Sequence, residues 1–459
     1  MFKLLFISGP LFAALLRLQQ FPSQVEKTVK SDAFVVYPVT PLAVSSNSWR
    51  NNTRLLILET KLEENLLASV QEYLDGGGKV WDLSDNEGLS HAENYVSSTI
   101  ETVMNVGEMS SVLEDRFNID TNKDGAEAGQ EEEDNPYTAG YLFGATERLG
   151  VSENLVKQKN LTLDFRPRGR QGSPSESHLP ILQSAPEDGL QFDQELYLSQ
   201  LRTEVLGRVV LYVPVVSSSM RVLEGRWECE GLAVVPARQT AGVGRAGNKW
   251  LSPPGCSMFS LQLSLPASSH LGRRPSLLQH LVTLATVQAV RTVEGLEDLE
   301  VGIKWPNDIY YGRQVKLGGV IAKSSFMGSQ LSVTIGAGIN LDNNLPTKSL
   351  NKIITDLGRR QLKQETLLAE TFNQLEFLIS ECNQGRLAAV LELYYKYWLH
   401  DNQRVRITRE DKTEERNVTV IGIDEFGFLQ VKDSDESVFS VTCDGNSFDM
   451  MEGLIKPKY

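Results

Sequence analysis

The chain has 459 residues, which is enough for roughly two to four domains with hydrophobic cores of their own. Its formal net charge of -14 argues against a nucleic-acid-binding protein, because neutralising phosphates requires lysines and arginines clustered on one face. The cysteines and the 5 histidines show no metal-ligand spacing, so the sequence predicts no metal site and indicates reduced thiols of an intracellular protein.

The N-terminal stretch, residues 1–18, is apolar, and only Lys3 and Arg17 are charged. A secretory signal peptide, a mitochondrial presequence and a buried strand all have this composition, and the three alternatives stay open. The chain has no run of about 18 or more apolar residues, so the sequence predicts no membrane span.

Residues 30–110 have the pattern of a small α/β unit. Residues 54–58 form a short apolar run that is typical of a strand, and residues 62–74 have helical spacing. Three consecutive glycines, Gly76 to Gly78, then lead into another strand. The stretch has no Cys–His pair for glutaminase chemistry, so we predict an interaction or regulatory unit.

Two linkers are predicted within residues 111–190. Residues 120–131 match the calcium-binding EF-hand pattern, but loop position 8 is Glu127 where an apolar residue is needed, and Pro136 would end the exiting helix. A solvated acidic linker is therefore the better interpretation. The Ser-, Pro-, Gly- and Arg-rich composition of residues 166–188 is typical of a second linker.

Residues 192–399 alternate strand-like runs with a few helical ones. The predicted strands are 209–213, 231–235, 258–265, 301–305, 315–322 and 331–339, and the predicted helices are 277–293, 365–379 and 387–398. This arrangement indicates an α+β domain with a mixed sheet. Short alternating strands with Asp-, Glu- and Gly-containing turns in residues 400–459 predict a small β-barrel.

A glycine-rich loop precedes the strand at 258–265. Gly242, Gly244 and Gly247 allow backbone N–H groups to approach an anion closely, and Arg245 can clamp a phosphate or carboxylate. The spacing also satisfies the G-x-G-x-x-G pattern of dinucleotide-binding proteins. That pattern requires a following helix and an acidic partner, and neither is present, so we set the nicotinamide interpretation aside. The chain contains no P-loop motif.

Three further blocks follow the glycine-rich loop. They are Lys304-Trp305-Pro306-Asn307-Asp308, Lys316-Leu317-Gly318-Gly319 and Gly336-Ala337-Gly338-Ile339-Asn340. Together the four blocks resemble the biotin protein ligases, and over residues 205–459 they look most like animal holocarboxylase synthetases. The resemblance implies an α+β fold, with a class II synthetase-like mixed-sheet catalytic domain at 192–399 and an SH3-like barrel at 400–459. A partly disordered region containing the α/β unit, which is loosely similar to an amidotransferase-like extension, precedes them.

The resemblance also implies an activity and its residues. The protein would activate biotin with ATP as biotinyl-5′-AMP and transfer it to a lysine of the biotin carrier domain of carboxylases, with Mg²⁺ bound through the ATP phosphates. The residues implied in catalysis are Arg245, Lys316 and Asp308. Those implied in biotin binding are Ser218, Ser219, Gln239, Gly242, Val243, Gly244, Arg245 and Lys316. Those implied in ATP binding are Arg245, Trp250, Lys304, Asn307, Lys316 and Asn340.

These residue types suit that chemistry. Serines and a glutamine can satisfy the ureido group of biotin, and Lys316 and Arg245 can offset the repulsion between a carboxylate and a phosphate. The glycine-rich loop is expected to close over the adenylate and exclude water. Trp250 either covers the adenine or anchors the loop in the core. Asp308 is expected to orient or deprotonate the incoming lysine.

Two positions depart from the family pattern, since Val243 stands where relatives usually have a basic residue and Met220 where bacterial relatives have asparagine. The rival functions are a lipoate ligase on the same fold and a non-catalytic biotin sensor or scaffold. The presence of both Arg245 and Lys316 favours the ligase. By resemblance we expect the protein in the cytoplasm and in mitochondria, with neither nucleic acid nor membrane as a partner.

Overall fold

The computed structural model describes the chain in segments. They are residues 2–7, 34–39, 53–58, 64–75, 79–82, 95–97, 136–150, 155–166, 173–183, 190–225, 227, 229–245, 248–343, 348–408, 415–443, 446–449 and 454–457. The chain divides into two compact units, Met1–Glu133 and Asp134–Tyr459. The EF-hand-like stretch at 120–131 lies outside the described residues.

The first unit contains a five-stranded sheet in which every pairing is parallel. Its strands are β1 (Phe2–Ile7), β2 (Phe34–Val39), β3 (Thr53–Leu58), β4 (Val80–Asp82) and β5 (Tyr95–Ser97), arranged β2-β1-β3-β4-β5. Helix α1 (Glu64–Asp75) connects β3 to β4, as parallel neighbours require, and buries Val70 and Leu74. Part of the apolar stretch at 1–18 is therefore an interior strand.

The second unit is built on an eleven-stranded mixed sheet. Its strands are β6 (Gly140–Gly144), β7 (Leu155–Lys157), β8 (Thr162–Arg166), β9 (His178–Leu182), β10 (Val209–Val216), β11 (Ala233–Gln239), β14 (Cys256–Pro266), β15 (Val301–Lys304), β16 (Asp308–Tyr311), β17 (Val315–Met327) and β18 (Gln330–Asn340). Their order across the sheet is β15-β16-β17-β18-β14-β11-β10-β6-β9-β8-β7. Strands β12 (Gly242–Val243) and β13 (Lys249–Trp250) form a separate ribbon.

Helices cover one face of this sheet. They are α2 (Gln194–Gln200), α4 (Leu277–Arg291), α5 (Leu350–Asp356), α6 (Gln364–Asn383) and α7 (Leu387–Lys396). The short helix α3 (Ser219–Val222) lies apart from them, beside the candidate site. Because side chains alternate along a strand, the odd-numbered positions of β14 and β18 face the helices, and Phe259 contacts Phe372 of α6 with ring centroids 5.0 Å apart. The even-numbered positions, with Ser260, Gly336 and Gly338, form the opposite face. The predicted α+β class with a mixed sheet is confirmed.

The linker prediction is wrong for the described part of residues 111–190. Strand β6 pairs with β10, and β8 and β9 extend the sheet beyond it, with Leu142, Leu163 and Ile181 buried in a shared core. The sequence pattern missed these strands because each has only three to five residues among polar, glycine and proline residues. The sheet therefore begins about fifty residues before position 192.

The C-terminal segment forms a six-stranded sheet. Its strands are β19 (Arg404–Thr408), β20 (Glu415–Ile423), β21 (Leu429–Asp433), β22 (Val438–Val441), β23 (Asn446–Asp449) and β24 (Leu454–Pro457), in the order β22-β21-β20-β19-β24-β23. One hydrophobic cluster runs from α4 and the large sheet into this sheet, including Val405 and Leu429. The C-terminal sheet is thus packed against the rest of the second unit. Within the described segments, no helix combines the length and the apolarity that a bilayer crossing requires.

Two buried histidines predict a pH dependence of stability. Burial lowers the pKa of His280 to about 4 and that of His400 to about 3, from an ordinary value of 6.5. Below about pH 6.5 the unfolded chain therefore binds more protons than the folded one, so the free energy of unfolding should fall as the pH drops, by up to about 1.4 kcal/mol per pH unit for each histidine. Urea unfolding between about pH 7 and pH 5 measures this loss. His400→Gln, which cannot titrate, should lose less stability over the same range, and equal slopes for the two proteins would contradict the prediction.

Candidate active site

A buried polar pocket lies where β10 ends. The chain passes through Ser218 into α3, whose first residue, Ser219, donates from its backbone N–H and its hydroxyl to Oε1 of Gln239 at 2.7 and 3.0 Å. The Ser219 Oγ lies 2.8 Å from Oγ of Ser260, and Nε2 of Gln239 donates to Oγ of Ser252 at 3.3 Å. All four serines are buried. The pocket therefore holds several oriented donors and acceptors away from water, where hydrogen bonds discriminate strongly between ligands.

Two glycines of β18 allow side chains to lie directly on the strand. A Cβ atom on Gly336 would lie 2.7 Å from Sδ of Met220, and one on Gly338 would lie 2.6 Å from the indole of Trp250. Ala337, between them, points into the core. The Gly-Ala-Gly motif is thus explained by close packing, and Met220 fills the space above Gly336 with an apolar side chain.

The indole N–H of Trp250 is a hydrogen-bond donor that lacks an acceptor within the described segments. Its Nε1 is buried and has no hydrogen-bond partner among the described residues. A buried donor without an acceptor costs about 1–3 kcal/mol. The position of Trp250 over Gly338 therefore suits an aromatic wall that offers one hydrogen bond to a ligand.

The glycine-rich loop is a short ribbon. Gly242 pairs with Trp250, and a Cβ atom on Gly242 would lie 2.5 Å from the Trp250 carbonyl oxygen, so only glycine fits there without a shift. Beyond it, the Gly244 N–H donates to the Asn248 carbonyl at 2.6 Å, and Val243 is 45% exposed. The loop returns into β13 and β14 rather than into a helix, in agreement with the exclusion of a nicotinamide site. Gly247 lies outside the described residues.

Arg245 reaches from the ribbon to the turn between β15 and β16. Its Nη1 donates to Oδ1 of Asn307 at 3.4 Å. Asn307 is buried, and it is fixed by donating from Nδ2 to the Val320 carbonyl at 2.7 Å and by accepting the Val320 N–H at 2.9 Å. In this conformation Asn307 therefore holds the arginine near the turn.

Asp308 lies between two lysines. Its Oδ1 accepts a hydrogen bond from Nζ of Lys316 at 2.7 Å, and its Oδ2 lies 3.5 Å from Nζ of Lys304. The side chains of Asp308 and Lys304 are mostly buried, whereas that of Lys316 is 41% exposed. Lys304 and Lys316 at Asp308, together with Arg245 at the adjacent Asn307, form a cation cluster whose positive charge favours an anionic ligand.

A row of residues across four strands joins the cation cluster to the polar pocket. Asp308 of β16 is in register with Gly319 of β17, Gly319 with Gly338 of β18, and Gly338 with Met258 of β14. The Sδ of Met258 lies 3.3 Å from Nε2 of Gln239. Residues in register share a face of the sheet, so the two glycines form the floor of a strip about 14 Å long between the carboxylate and the pocket. The indole of Trp250 lies over this strip at Gly338.

Asn340 has a structural position at the end of β18. Its Nδ2 donates to the Lys316 carbonyl at 3.5 Å, and its Oδ1 accepts from Nδ2 of Asn343 at 3.0 Å and from the thiol of Cys256 at 3.6 Å. Burial raises the pKa of Cys256 to about 12, so this thiol stays protonated and can donate. Asn340 thereby fixes the backbone that carries Lys316, and its expected contact with the nucleotide stays a prediction.

Some contacts near the site come from the segment predicted as a linker and were not expected from the sequence. The Tyr137 hydroxyl lies 3.2 Å from Oγ1 of Thr240, beside Gln239. Nη1 of Arg221 donates both to Glu176 at 2.8 Å and to Oγ of Ser217 at 3.2 Å. Tyr137 and Glu176 are 103 and 45 positions from their partners Thr240 and Arg221, so no local pattern could have shown these two contacts.

Two family models match the chain. The biotin/lipoate A/B protein ligase family matches residues 212–340, which contain every candidate site residue, and the biotin protein ligase C-terminal domain matches residues 400–451. The solved biotin protein ligase from Aquifex aeolicus in complex with biotin and ATP is similar with a TM-score of 0.40 and 21% identity, over 50% of this chain and 94% of that chain.

Curated relatives match the same half of the chain. The human biotin–protein ligase is 41% identical over 277 residues, which are 58% of this chain and 38% of the human protein. The chain thus matches well under half the length of that relative. The chloroplastic biotin–protein ligase 1 of Arabidopsis thaliana is 33% identical over 283 residues, which are 59% of this chain and 75% of the plant protein. With both domains matched and three-quarters of the plant protein covered, the chain belongs to the biotin protein ligase family.

Proposed function

We propose that this protein joins biotin to ATP as biotinyl-5′-AMP and then transfers the biotinyl group to a lysine of a biotin carrier domain. The observation that carries the proposal is the strip between a buried hydrogen-bonding pocket at Ser219 and Gln239 and a cation cluster at Asp308. The human and plant relatives are both biotin–protein ligases, which agrees with it.

Biotin suits the polar pocket. Its ureido ring offers two N–H donors and one carbonyl acceptor, and Ser218, Ser219 and Gln239 are the proposed partners beside the apolar Met220. Lipoate, the rival substrate within the matched family, has a dithiolane ring without such groups. Ser219 and Gln239 already bond each other, so lipoate would leave only their spare donors and acceptors unused, whereas biotin would gain hydrogen bonds there, and the pocket therefore favours biotin.

In the first proposed step, a carboxylate oxygen of biotin attacks the α-phosphorus of ATP, a mixed anhydride forms and pyrophosphate leaves. Two anions must meet, and Lys316 and Arg245 offset their repulsion and stabilise the charge that develops on the phosphoryl oxygens. Lys316 is the more exposed lysine at Asp308, so it can turn to the phosphate while Lys304 keeps the carboxylate neutralised. Mg²⁺ enters this proposal with the ATP phosphates.

In the second proposed step, the amine of the carrier lysine attacks the acyl carbon of the adenylate and AMP leaves. The attacking amine must lose a proton, and Asp308 is the carboxylate at the cation cluster that can accept it. The ribbon with Val243 and Gly244 covers the adenylate before transfer and limits its hydrolysis. The proposed acceptors are the carboxylases of cytoplasm and mitochondria that the animal resemblance implies.

Exchange of labelled pyrophosphate into ATP tests the function directly. Exchange that requires biotin would support the proposal. Exchange that requires lipoate would change the assigned substrate from biotin to lipoate. Biotin binding without exchange would favour the non-catalytic sensor, which the intact cluster of Lys304, Asp308 and Lys316 argues against.

Replacing Lys316 with alanine should abolish adenylate formation, because it removes the cation that faces the α-phosphate. We expect biotin-dependent pyrophosphate exchange to fall about 100-fold or more, while biotin still binds. Lys323→Ala is the matched control, since Lys323 is an exposed lysine farther along the same strand. A near-normal exchange rate in Lys316→Ala would refute its assigned role.

Replacing Arg245 with glycine should release the adenylate early, because the contact with Asn307 that holds the ribbon near the turn is lost. The expected results are a faster dissociation of biotinyl-5′-AMP and biotin labelling of a bystander protein such as serum albumin. Arg273→Gly, at an exposed position away from the site, serves as control. An unchanged dissociation rate together with unchanged selectivity would remove the latch role.

Replacing Trp250 with phenylalanine keeps an aromatic ring over Gly338 and removes the indole N–H. If that N–H bonds the nucleotide part of the adenylate, the apparent Kd of a non-hydrolysable adenylate analogue should rise about tenfold. Calorimetric titration measures it, with Trp227→Phe as control. An unchanged affinity would assign Trp250 to packing alone.

A further inference from the structure

The segment that leads from α7 into the C-terminal sheet, residues 397–400, lies along the edge of β15. The Ile303 N–H donates to the Tyr397 carbonyl at 2.7 Å, and the Leu399 N–H donates to the Ile303 carbonyl at 3.0 Å. A side chain on Gly302 would collide with Leu399 at 2.7 Å, so the two segments lie in close contact. The chain that leaves the catalytic part is therefore hydrogen-bonded to the strand that leads into the Asp308 turn.

His400 ends this contact with one defined hydrogen bond. The Trp305 N–H donates to Nε2 of His400 at 3.0 Å, and Nδ1 of His400 lies 2.9 Å from Oε1 of Gln403. A backbone N–H can only donate, so Nε2 is the unprotonated nitrogen and Nδ1–H donates to Gln403. His400 and Trp305 are both fully buried, and the imidazole therefore acts as a neutral acceptor with a fixed tautomer.

Trp305 is held at a second point by the same sheet. Its indole Nε1 donates to the Gly427 carbonyl at 3.1 Å, in the turn between β20 and β21. A Cβ atom on Gly427 would lie 2.6 Å from the ring of His280, so this turn is also packed against α4. Both the backbone and the side chain of Trp305 are thus bound by groups that come after position 399.

Trp305 begins the turn that carries the proposed chemistry. Pro306, which follows in a cis peptide bond, has no N–H. Asn307 next contacts Arg245, and Asp308 then binds both lysines. The backbone of Trp305 is therefore the point at which the C-terminal sheet can set the position of these two side chains.

We propose that His400 is a positioning residue for adenylation: its Nε2 fixes the backbone of Trp305 and thereby places Asn307 and Asp308 relative to Arg245 and Lys316. This inference rests on the proposed function. A displacement of about 1 Å at a reacting group can cost up to about 100-fold in rate, so a single buried hydrogen bond at this turn can matter for catalysis.

Two substitutions of His400 separate its two hydrogen bonds. In His400→Gln, the side-chain Oε1 reaches the position of Nε2 and can still accept from Trp305, whereas the bond to Gln403 is lost. In His400→Asn, the amide can still bond Gln403 but cannot reach Trp305. Both variants replace the imidazole with a neutral amide. If His400 acts through packing alone, kcat should fall in both variants, and each loss should follow the loss of stability in that variant.

Three measurements on the full chain decide the proposal. Amide hydrogen exchange of the peptide spanning 303–311 should accelerate in His400→Asn and stay near the wild-type rate in His400→Gln. The kcat for biotin-dependent pyrophosphate exchange should fall about tenfold or more in His400→Asn and less than about threefold in His400→Gln, whereas the Kd for biotin should change less than about twofold in both. Thermal unfolding, measured in parallel, gives the stability of each variant.

Other outcomes would overturn the proposal. Equal kcat values in the two variants, or losses that only follow the melting temperatures, would reduce His400 to a packing residue. If His400→Asn does not fold, Gln403→Ala provides the second test, because it removes the acceptor that keeps the proton on Nδ1 and lets the imidazole adopt the tautomer that cannot accept from Trp305. This variant should lower kcat with little change in biotin Kd, and an unchanged kcat would count against the proposal. A wild-type protein without biotin-dependent exchange would refute the proposed function instead, and the amide exchange would still decide whether His400 fixes the turn.

Discussion

Two lysines share one carboxylate at Asp308, and the rest of the site depends on that arrangement. Lys304 of β15 is in register with Asp308 of β16. Lys316 of β17 pairs with Tyr310, two residues farther along β16, and its side chain reaches the Asp308 carboxylate from there. Gly319, the partner of Asp308, has room for no large side chain. In the absence of a ligand, the Asp308 carboxylate keeps the two lysines close together. A phosphate that binds here can then attract the more exposed lysine, Lys316.

The site is positively charged in a protein whose formal net charge is -14. A cleft lined by cations focuses the field at short range, whereas charges beyond about 10 Å are largely screened at physiological salt. The acidic remainder of the chain therefore does not prevent anion binding at Lys316 and Arg245. The polar pocket at Ser219 works by a different physical principle, since it selects a neutral ring through oriented hydrogen bonds out of water.

The fold could be predicted from the sequence where strands are long. Strands β14 and β18 have 11 residues each; β18 alternates throughout and β14 does so from Phe259 to Leu265, so their existence and inner faces follow from the pattern. The same alternation places Ser260 on the face of the site, although we did not predict that residue. The contacts of Trp305 with His400 and of Arg245 with Asn307 join residues 95 and 62 positions apart, and only the folded sheet brings them together. Short strands such as β7, with three residues, have too little periodicity to detect.

A crystal structure with a non-hydrolysable biotinyl-adenylate analogue would test the central claim most directly. We expect the ring of biotin against Ser219 and Gln239, the phosphate mimic on the strip above Gly319 beside Trp250, and Nζ of Lys316 moved from Asp308 to that group. Lys304 should remain beside Asp308. A ligand bound elsewhere, or one bound here with the pair of Lys316 and Asp308 unchanged and no cation on the phosphate mimic, would contradict it.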